Sequence, residues 1–333
     1  MANLPPLFFN GTMLENSKSH KHLGVTFNSN GKWNNHINEI YTKACRRINI
    51  LRLMKHKLDR KSLWKLYIGF IRPILEYGGI VWDNCSLHES ELLESVQLEA
   101  ARIITGLRKG TSHAKLYTKL GWVPLKERGR TNKLILLHKI LHDETPLYLL
   151  NEILLQANHQ SSYNLRFNRV FEPPFCNTTS YKCSFFPNVI DSWNLLDVDM
   201  QNQHSRLMFK KQISSNISVP PPYFALGTRK YNIFHCQLRN LASNLNQHKF
   251  LSHLSDGSGC PCGDDVEDNF HYFYVCPLFI CQRILLFTQL RDLADFLNID
   301  VLLKGSPDLS FDDNVLIMNS VHTFICGTKR LDY

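Results

Sequence analysis

The sequence predicts a mainly α-helical chain with small β elements, an α+β arrangement in which a short β-hairpin region leads into a helical bundle. Three observations predict it. Apolar residues recur every three or four positions over long stretches of the first half. Hairpin-type pairs, Asn10-Gly11 and Asn30-Gly31, occur close to the start. Hydrophobic residues make up 44% of 333, which is enough to fill two or three separate cores. Texture divides the chain into a β segment (1–33), a helical domain (34–157), a connecting module (158–250) and a cysteine-bearing C-terminal domain (251–333).

The elements follow in order. Residues 5–33 read as short strands and turns, with His22-Leu23-Gly24-Val25-Thr26-Phe27 as a strand between the two Asn-Gly pairs. Ile37, Ile40, Tyr41, Ala44, Ile48 and Leu51 form the stripe of a first amphipathic helix. Asp59 caps a second, whose apolar face is Leu63, Leu66, Tyr67, Phe70, Ile71 and Ile74, and Pro73 kinks or ends it. Ser86 with Glu89 is a capping box for a third helix, with Leu92, Val96, Ala100 and Ile103 inward and Gly106 as the stop. Ser112 to Gly121 reads as a short helix between a cap and a terminal glycine. Residues 124–155 continue helical, with Leu134, Leu137 and Leu141 inward. Residues 158–225 carry Asn, Ser, aromatics and the breaks Pro173-Pro174 and Pro220-Pro221-Pro222, and read as short strands. Helices resume at 229–250 and again, with short loops, at 284–330. No repeat and no low-complexity tract is present.

Cys260, Cys262, His271 and Cys276 carry the most chemistry. Three thiols and an imidazole at this spacing can close a tetrahedron around zinc and leave no position open for catalysis, so the site predicted is structural. Gly263 supplies the tight turn after the first pair. The alternative is a pair of buried cysteines beside an unrelated histidine; the first pair is one residue apart where two is commoner. Cys281 is a possible substitute ligand.

Charge points to a polyanion. Lys and Arg number 38 against 29 Asp and Glu, a net +9 with pI near 9.0. Between 43 and 72 the cations are Lys43, Arg46, Arg47, Arg52, Lys55, Lys57, Arg60, Lys61, Lys65 and Arg72, and the one acid is Asp59. Intrahelical pairing cannot neutralise such a run. On a regular helix Lys61, Lys65 and Arg72 share one azimuth, a face suited to a phosphate backbone. The alternative is a solvated helix surface. A catalytic centre is not evident. Ser310-Phe311-Asp312-Asp313 lacks the spacing of a two-metal polymerase site and reads as a helix cap, and no P-loop or nucleophile elbow occurs. The first residues have no signal-peptide pattern, and no apolar run is long enough to span a membrane. Ten irregularly spaced cysteines do not suit a secreted disulfide scaffold, so an intracellular location, nucleus or cytoplasm, is expected.

Several stretches resemble the carboxy-terminal part of reverse transcriptases from non-LTR (LINE-type) retrotransposons. They include Ser19-His20-Lys21-His22-Leu23-Gly24-Val25, Ile71-Arg72-Pro73-Ile74-Leu75-Glu76-Tyr77-Gly78, Val81-Trp82, Ala101-Arg102-Ile103-Ile104-Thr105-Gly106, Leu238-Arg239-Asn240, and the cysteine segment with Glu267, Cys276-Pro277 and Arg283. The resemblance covers nearly the whole chain. It implies that Leu23 and Gly24 match a primer-grip strand at the end of a palm, that 34–150 match a helical thumb that grips a primer–template duplex, and that the cysteine module is a zinc knuckle. Stretches matching fingers and palm are missing. The resemblance therefore implies an RNA- or RNA–DNA-binding chain with no catalytic residues of its own. The alternatives are a subunit of a split RNA-directed DNA polymerase, its palm supplied in trans, and a host-recruited, non-catalytic interaction protein.

Overall fold

The computed structural model describes residues 7–15, 17–157, 171, 174–214 and 221–332. It is 63% helical with two small antiparallel sheets, the mainly α architecture with minor β elements that the sequence predicts. The chain forms two compact units that are interleaved in sequence, so the linear ranges above do not coincide with them.

The first unit comprises 1–46, 73–95 and 125–215. Strands β1 (Phe8–Phe9) and β2 (Thr12–Met13) pair around Asn10-Gly11, and β3 (Ser19–His22) pairs with β4 (Val25–Asn28) around Leu23-Gly24. The run His22–Phe27 is therefore two strands and not one. Leu23 and Gly24 both have positive φ, 45° and 83°, the geometry of a two-residue hairpin turn whose twist matches its strands. A Cβ on Gly24 would sit 3.0 Å from the Tyr77 ring, and the Tyr77 hydroxyl donates to the Leu23 carbonyl at 2.8 Å. Asn30-Gly31 instead closes a turn leading into helix α1 (Asn34–Met54).

Helices α3 (Arg72–Glu76), α4 (Gly79–Trp82) and α7 (Leu125–Leu141) belong to this unit, and its buried centre is supplied by α7, α8 (Leu147–Ala157), α10 (Phe185–Asn194) and α12 (Arg206–Ile213). Leu134, Leu137, Ile153, Val189, Trp193 and Phe209 meet there. Within 158–225 the described residues contain no strand. They hold α9 (Thr179–Lys182), α10, α11 (Val198–Gln201), α12 and a 3₁₀ turn at Pro222–Ala225. Pro187 lies in the first turn of α10, where a missing N–H costs nothing, and Pro187, Ile190 and Trp193 then recur at helical spacing on the buried side. Pro173 and Pro220 lie outside the described residues. Lys133 is buried and held by Asp83 and by Asn188 Oδ1, the latter at 2.5 Å.

The second unit comprises 47–72, 96–124 and 216–333. Asp59 caps α2 (Arg60–Leu66), accepting from the Ser62 N–H at 3.0 Å. A π turn, Tyr67–Ile71, follows and runs into α3, with the Arg72 N–H closing on the Tyr67 carbonyl. Pro73 explains it: a proline ring collides with the carbonyl four residues back and offers no N–H to it, and widening the preceding turn relieves both faults. The buried row is consequently Leu63, Tyr67, Ile71 and Leu75, a strict four-residue repeat, and Phe70 is exposed. Tyr67 stacks on Trp122 at 4.3 Å between centroids and donates its hydroxyl to Gln97 Oε1 at 2.7 Å. Helix α5 (Leu87–Thr105) starts on the reciprocal Ser86–Glu89 capping box, and α6 (His113–Leu120) runs between its Ser112 cap and Gly121 at φ 62°. Gly106 ends α5 at φ 72°, where a Cβ would lie 2.6 Å from Ile233.

The main core of this unit sits around α17 (Phe311–Thr328), which packs on α13 (Arg229–Arg239), α15 (Ile280–Gln289) and α16 (Ile299–Lys304); α14 (Asn246–Leu251) precedes the cysteine segment. Phe273 stacks on Phe324 at its centre, and Tyr272 meets both rings edge-on. No helix among the described residues is long and apolar enough to cross a membrane.

Candidate metal centre and the basic segments

The cysteine segment has little regular structure before His271, and its backbone is shaped by local bonds. The Cys260 N–H donates to the Asp264 carbonyl at 2.8 Å, and the Gly263 N–H returns to the Cys260 carbonyl at 3.0 Å. Gly263 holds φ 102°, a conformation only glycine adopts cheaply. This tight loop aims Cys260 and Cys262 the same way. A second π turn, His271–Val275, closes when the Cys276 N–H donates to the His271 carbonyl at 2.8 Å. It brings residues five apart nearer to one side than a regular helix would.

The result is a convergence of Cys260, Cys262, His271 and Cys276, whose ligand atoms all lie within 4.8 Å of one another. Cys260 Sγ and Cys276 Sγ are 3.7 Å apart, and Cys262 Sγ and His271 Nε2 are 3.4 Å apart. A tetrahedron with bonds of about 2.3 Å to sulfur and about 2.0 Å to nitrogen has S–S edges of about 3.75 Å and S–N edges of about 3.5 Å. The spacing therefore fits a bound divalent ion of zinc's size. Asp264 Oδ2 lies 3.1 Å from His271 Nδ1. It holds the proton on that nitrogen and leaves Nε2, the atom facing the thiols, free to coordinate. Burial pushes the Cys260 thiol up to about 12 and raises that of Cys276; a cation at the centre would reverse this by favouring thiolates.

The surroundings are fixed from a distance. Arg283 donates to the Phe273 carbonyl at 2.9 Å and the Cys276 carbonyl at 2.7 Å, fastening the π turn. Glu267 is buried, receives the Asn246 N–H at 2.7 Å and a two-pronged bond from Arg330, and donates its own N–H to Ser258. Cys281 is exposed on α15 and stands outside the cluster. The separate tasks of Asp264 and Glu267 are not evident from the sequence alone. The tight Cys-x-Cys-Gly-Asp spacing was the available signal for Asp264; nothing local announces Arg330.

The basic residues divide. Arg46, Arg47, Lys55, Lys57, Lys61 and Lys65 are exposed and have no ion pair among the described residues. Lys43 lies 4.0 Å from Glu39, and Arg52 pairs with Glu99 at 2.9 Å. Arg60 is turned inward and donates to the Lys119 carbonyl. Arg72 is half-buried beyond the π turn, and the turn moves it off the Lys61–Lys65 azimuth by roughly a quarter turn. The shared face of Lys61, Lys65 and Arg72 is therefore reduced to Lys61 and Lys65. Leu23 is 79% exposed at the hairpin tip. Asp312 and Asp313 begin α17, where Ser310 is the cap and exchanges bonds with Asp313. No family model, curated protein or solved structure matches the chain.

Proposed function

We propose that this chain is a non-catalytic, nucleic-acid-binding protein of the kind found at the carboxy-terminal end of non-LTR reverse transcriptases, with one structural zinc held by Cys260, Cys262, His271 and Cys276. One observation supports the binding role above the rest: among the described residues Arg46, Arg47, Lys55, Lys57, Lys61 and Lys65 are exposed without an ion pair, and Asp59 is the one acid between them. The Ser62 hydroxyl and N–H hold the Asp59 carboxyl below its usual range as the cap of α2, and this one carboxylate leaves most of the surrounding positive charge uncompensated. Phosphates are the natural counterions for such a surface, with contacts that carry charge and no sequence information. RNA and RNA–DNA duplex are the expected partners. The zinc role is structural, because four protein ligands leave no open position.

Binding of fluorescent RNA and RNA–DNA duplex over a salt series tests the reading. The Lys61→Gln, Lys65→Gln double variant should flatten the salt dependence by up to about two phosphate contacts, whereas Arg72→Gln should leave it unchanged. An unchanged slope in a folded double variant would reject the surface.

A further inference from the structure

Within the second unit, three cations from separate helices are brought together without a carboxylate. Arg60 opens α2, Lys119 lies in the last turn of α6, and Arg239 ends α13. The Arg239 guanidinium stacks 3.9 Å above the centre of Phe224, and the Lys119 ammonium stands 5.4 Å from the same ring. Arg239 Nε and Nη1 are fully buried and have no hydrogen-bond partner. Arg60 has spent a donor on the Lys119 carbonyl, and none of the three has an ion pair among the described residues. One aromatic face contributes about 2 kcal/mol to a desolvated cation, while removing each from water costs several.

Arg229 is the internal control. It too is a half-buried guanidinium in this unit, yet its donors reach three carbonyls, of Lys55, Ile103 and Ile104, at 2.5–3.0 Å. The fold satisfies a half-buried guanidinium where it has no other use for it. At Arg239 it does not. Burial first, and Arg239 next, push Lys119 down to about 8, which is the response of cations held together without an anion.

We propose that Arg60, Lys119 and Arg239 form a binding site for a phosphate-type oxyanion, seated beside the Phe224 ring. A tetrahedral oxyanion carries the opposite charge and enough acceptor oxygens for an ammonium and two guanidinium forks. Free phosphate and a phosphate within a polynucleotide offer the same chemistry. The site is independent of the zinc centre and of the exposed lysines of α2.

The test uses the full chain with its metal. Thermal unfolding and titration calorimetry are run with inorganic phosphate against chloride at constant ionic strength, and in parallel with a short oligonucleotide. Phosphate should raise the melting temperature saturably. Lys119→Met should weaken that binding by about tenfold or more, the loss of a charged hydrogen bond, and should raise the melting temperature without ligand, because it removes one of three like charges. Arg239→Lys keeps the charge and loses the fork, and should weaken binding without that rise. Response to the oligonucleotide alone, lost in Lys119→Met, assigns the site to a polynucleotide phosphate. Absence of any saturable response, or an equal response in Lys119→Met, overturns the proposal. Lys61→Gln with Lys65→Gln should leave phosphate binding intact, so failure of this site and failure of the proposed nucleic-acid surface are read separately.

Discussion

The π turns at Tyr67–Ile71 and His271–Val275 are built alike and end differently. In each, an N–H closes on the carbonyl five residues back, from Arg72 to Tyr67 and from Cys276 to His271, and a proline follows, Pro73 or Pro277. Arg72 remains helical at φ −57°, ψ −40°, and the chain runs on into α3. Cys276 turns extended at φ −52°, ψ 120°, the conformation a residue before proline prefers, and the helix stops. The first turn keeps Tyr67 and Ile71 in one buried row. The second sets a candidate metal ligand at each of its ends. Proline opens both turns; what each must hold in place decides whether the helix survives it.

Removing the metal should separate the two turns most. Cys276→Ser or a strong chelator should release about one equivalent of zinc and destabilise the second unit by more than about 3 kcal/mol, because metal binding is folding free energy here. Elemental analysis and denaturant unfolding measure both; a zinc content below about half an equivalent in the native chain would reduce the second turn to ordinary cysteine packing. At the first turn, Tyr67→Phe strips the Gln97 carbonyl of its hydroxyl donor and should cost about 1–3 kcal/mol, with no change in zinc content. Acid should act selectively. Ligand thiolates protonate and metal affinity falls, whereas the Tyr67–Gln97 bond is between neutral groups. Burial depresses His248, in the same unit, to about 4, below its ordinary 6.5. The unfolded chain therefore binds the extra proton between those values, and this part of the stability, present above pH 6.5, is lost as pH falls toward 4. With metal removed, His248→Gln should flatten that acid slope. Smallest is Pro73→Ala. It restores an N–H that can reach the Gly69 carbonyl, and should change stability by about 1 kcal/mol or less. If amide exchange then shows Gly69–Arg72 reverting to a regular helix, the proline is the cause of the first turn; an unaltered pattern assigns it to the buried row.

What the sequence made legible was local. The caps at Asp59, Ser86–Glu89, Ser112 and Gly121 are each written within four to nine residues, and the structure has them all. The four candidate ligands were legible for the same reason, since here their spacing lies within one short segment. Where the reading failed, distance or strain intervened. Leu23 accepts a positive φ that its side chain disfavours, held by a bond from Tyr77 far along the chain. The short helices of 174–214 depend on packing around Trp193 and Phe209 more than on propensity. Arg60 looks like any exposed cation until its carbonyl partner at Lys119 is known.

The interleaving of the units has a consequence in time. The chain passes between them at 46/47, 72/73, 95/96, 124/125 and 215/216. During synthesis the first unit has all of its residues once 215 has emerged. The portions of the second unit made by then include Gly106, packed against Ile233, and the Ile103 and Ile104 carbonyls that Arg229 holds, so these contacts wait for residues beyond 216. While the residues beyond 216 are being made, a nascent chain thus shows surface that it will later cover, the state in which chaperones are engaged and aggregation begins. A premature stop soon after 216 should be costlier to the cell than its missing length suggests, because it strands helices that were already made.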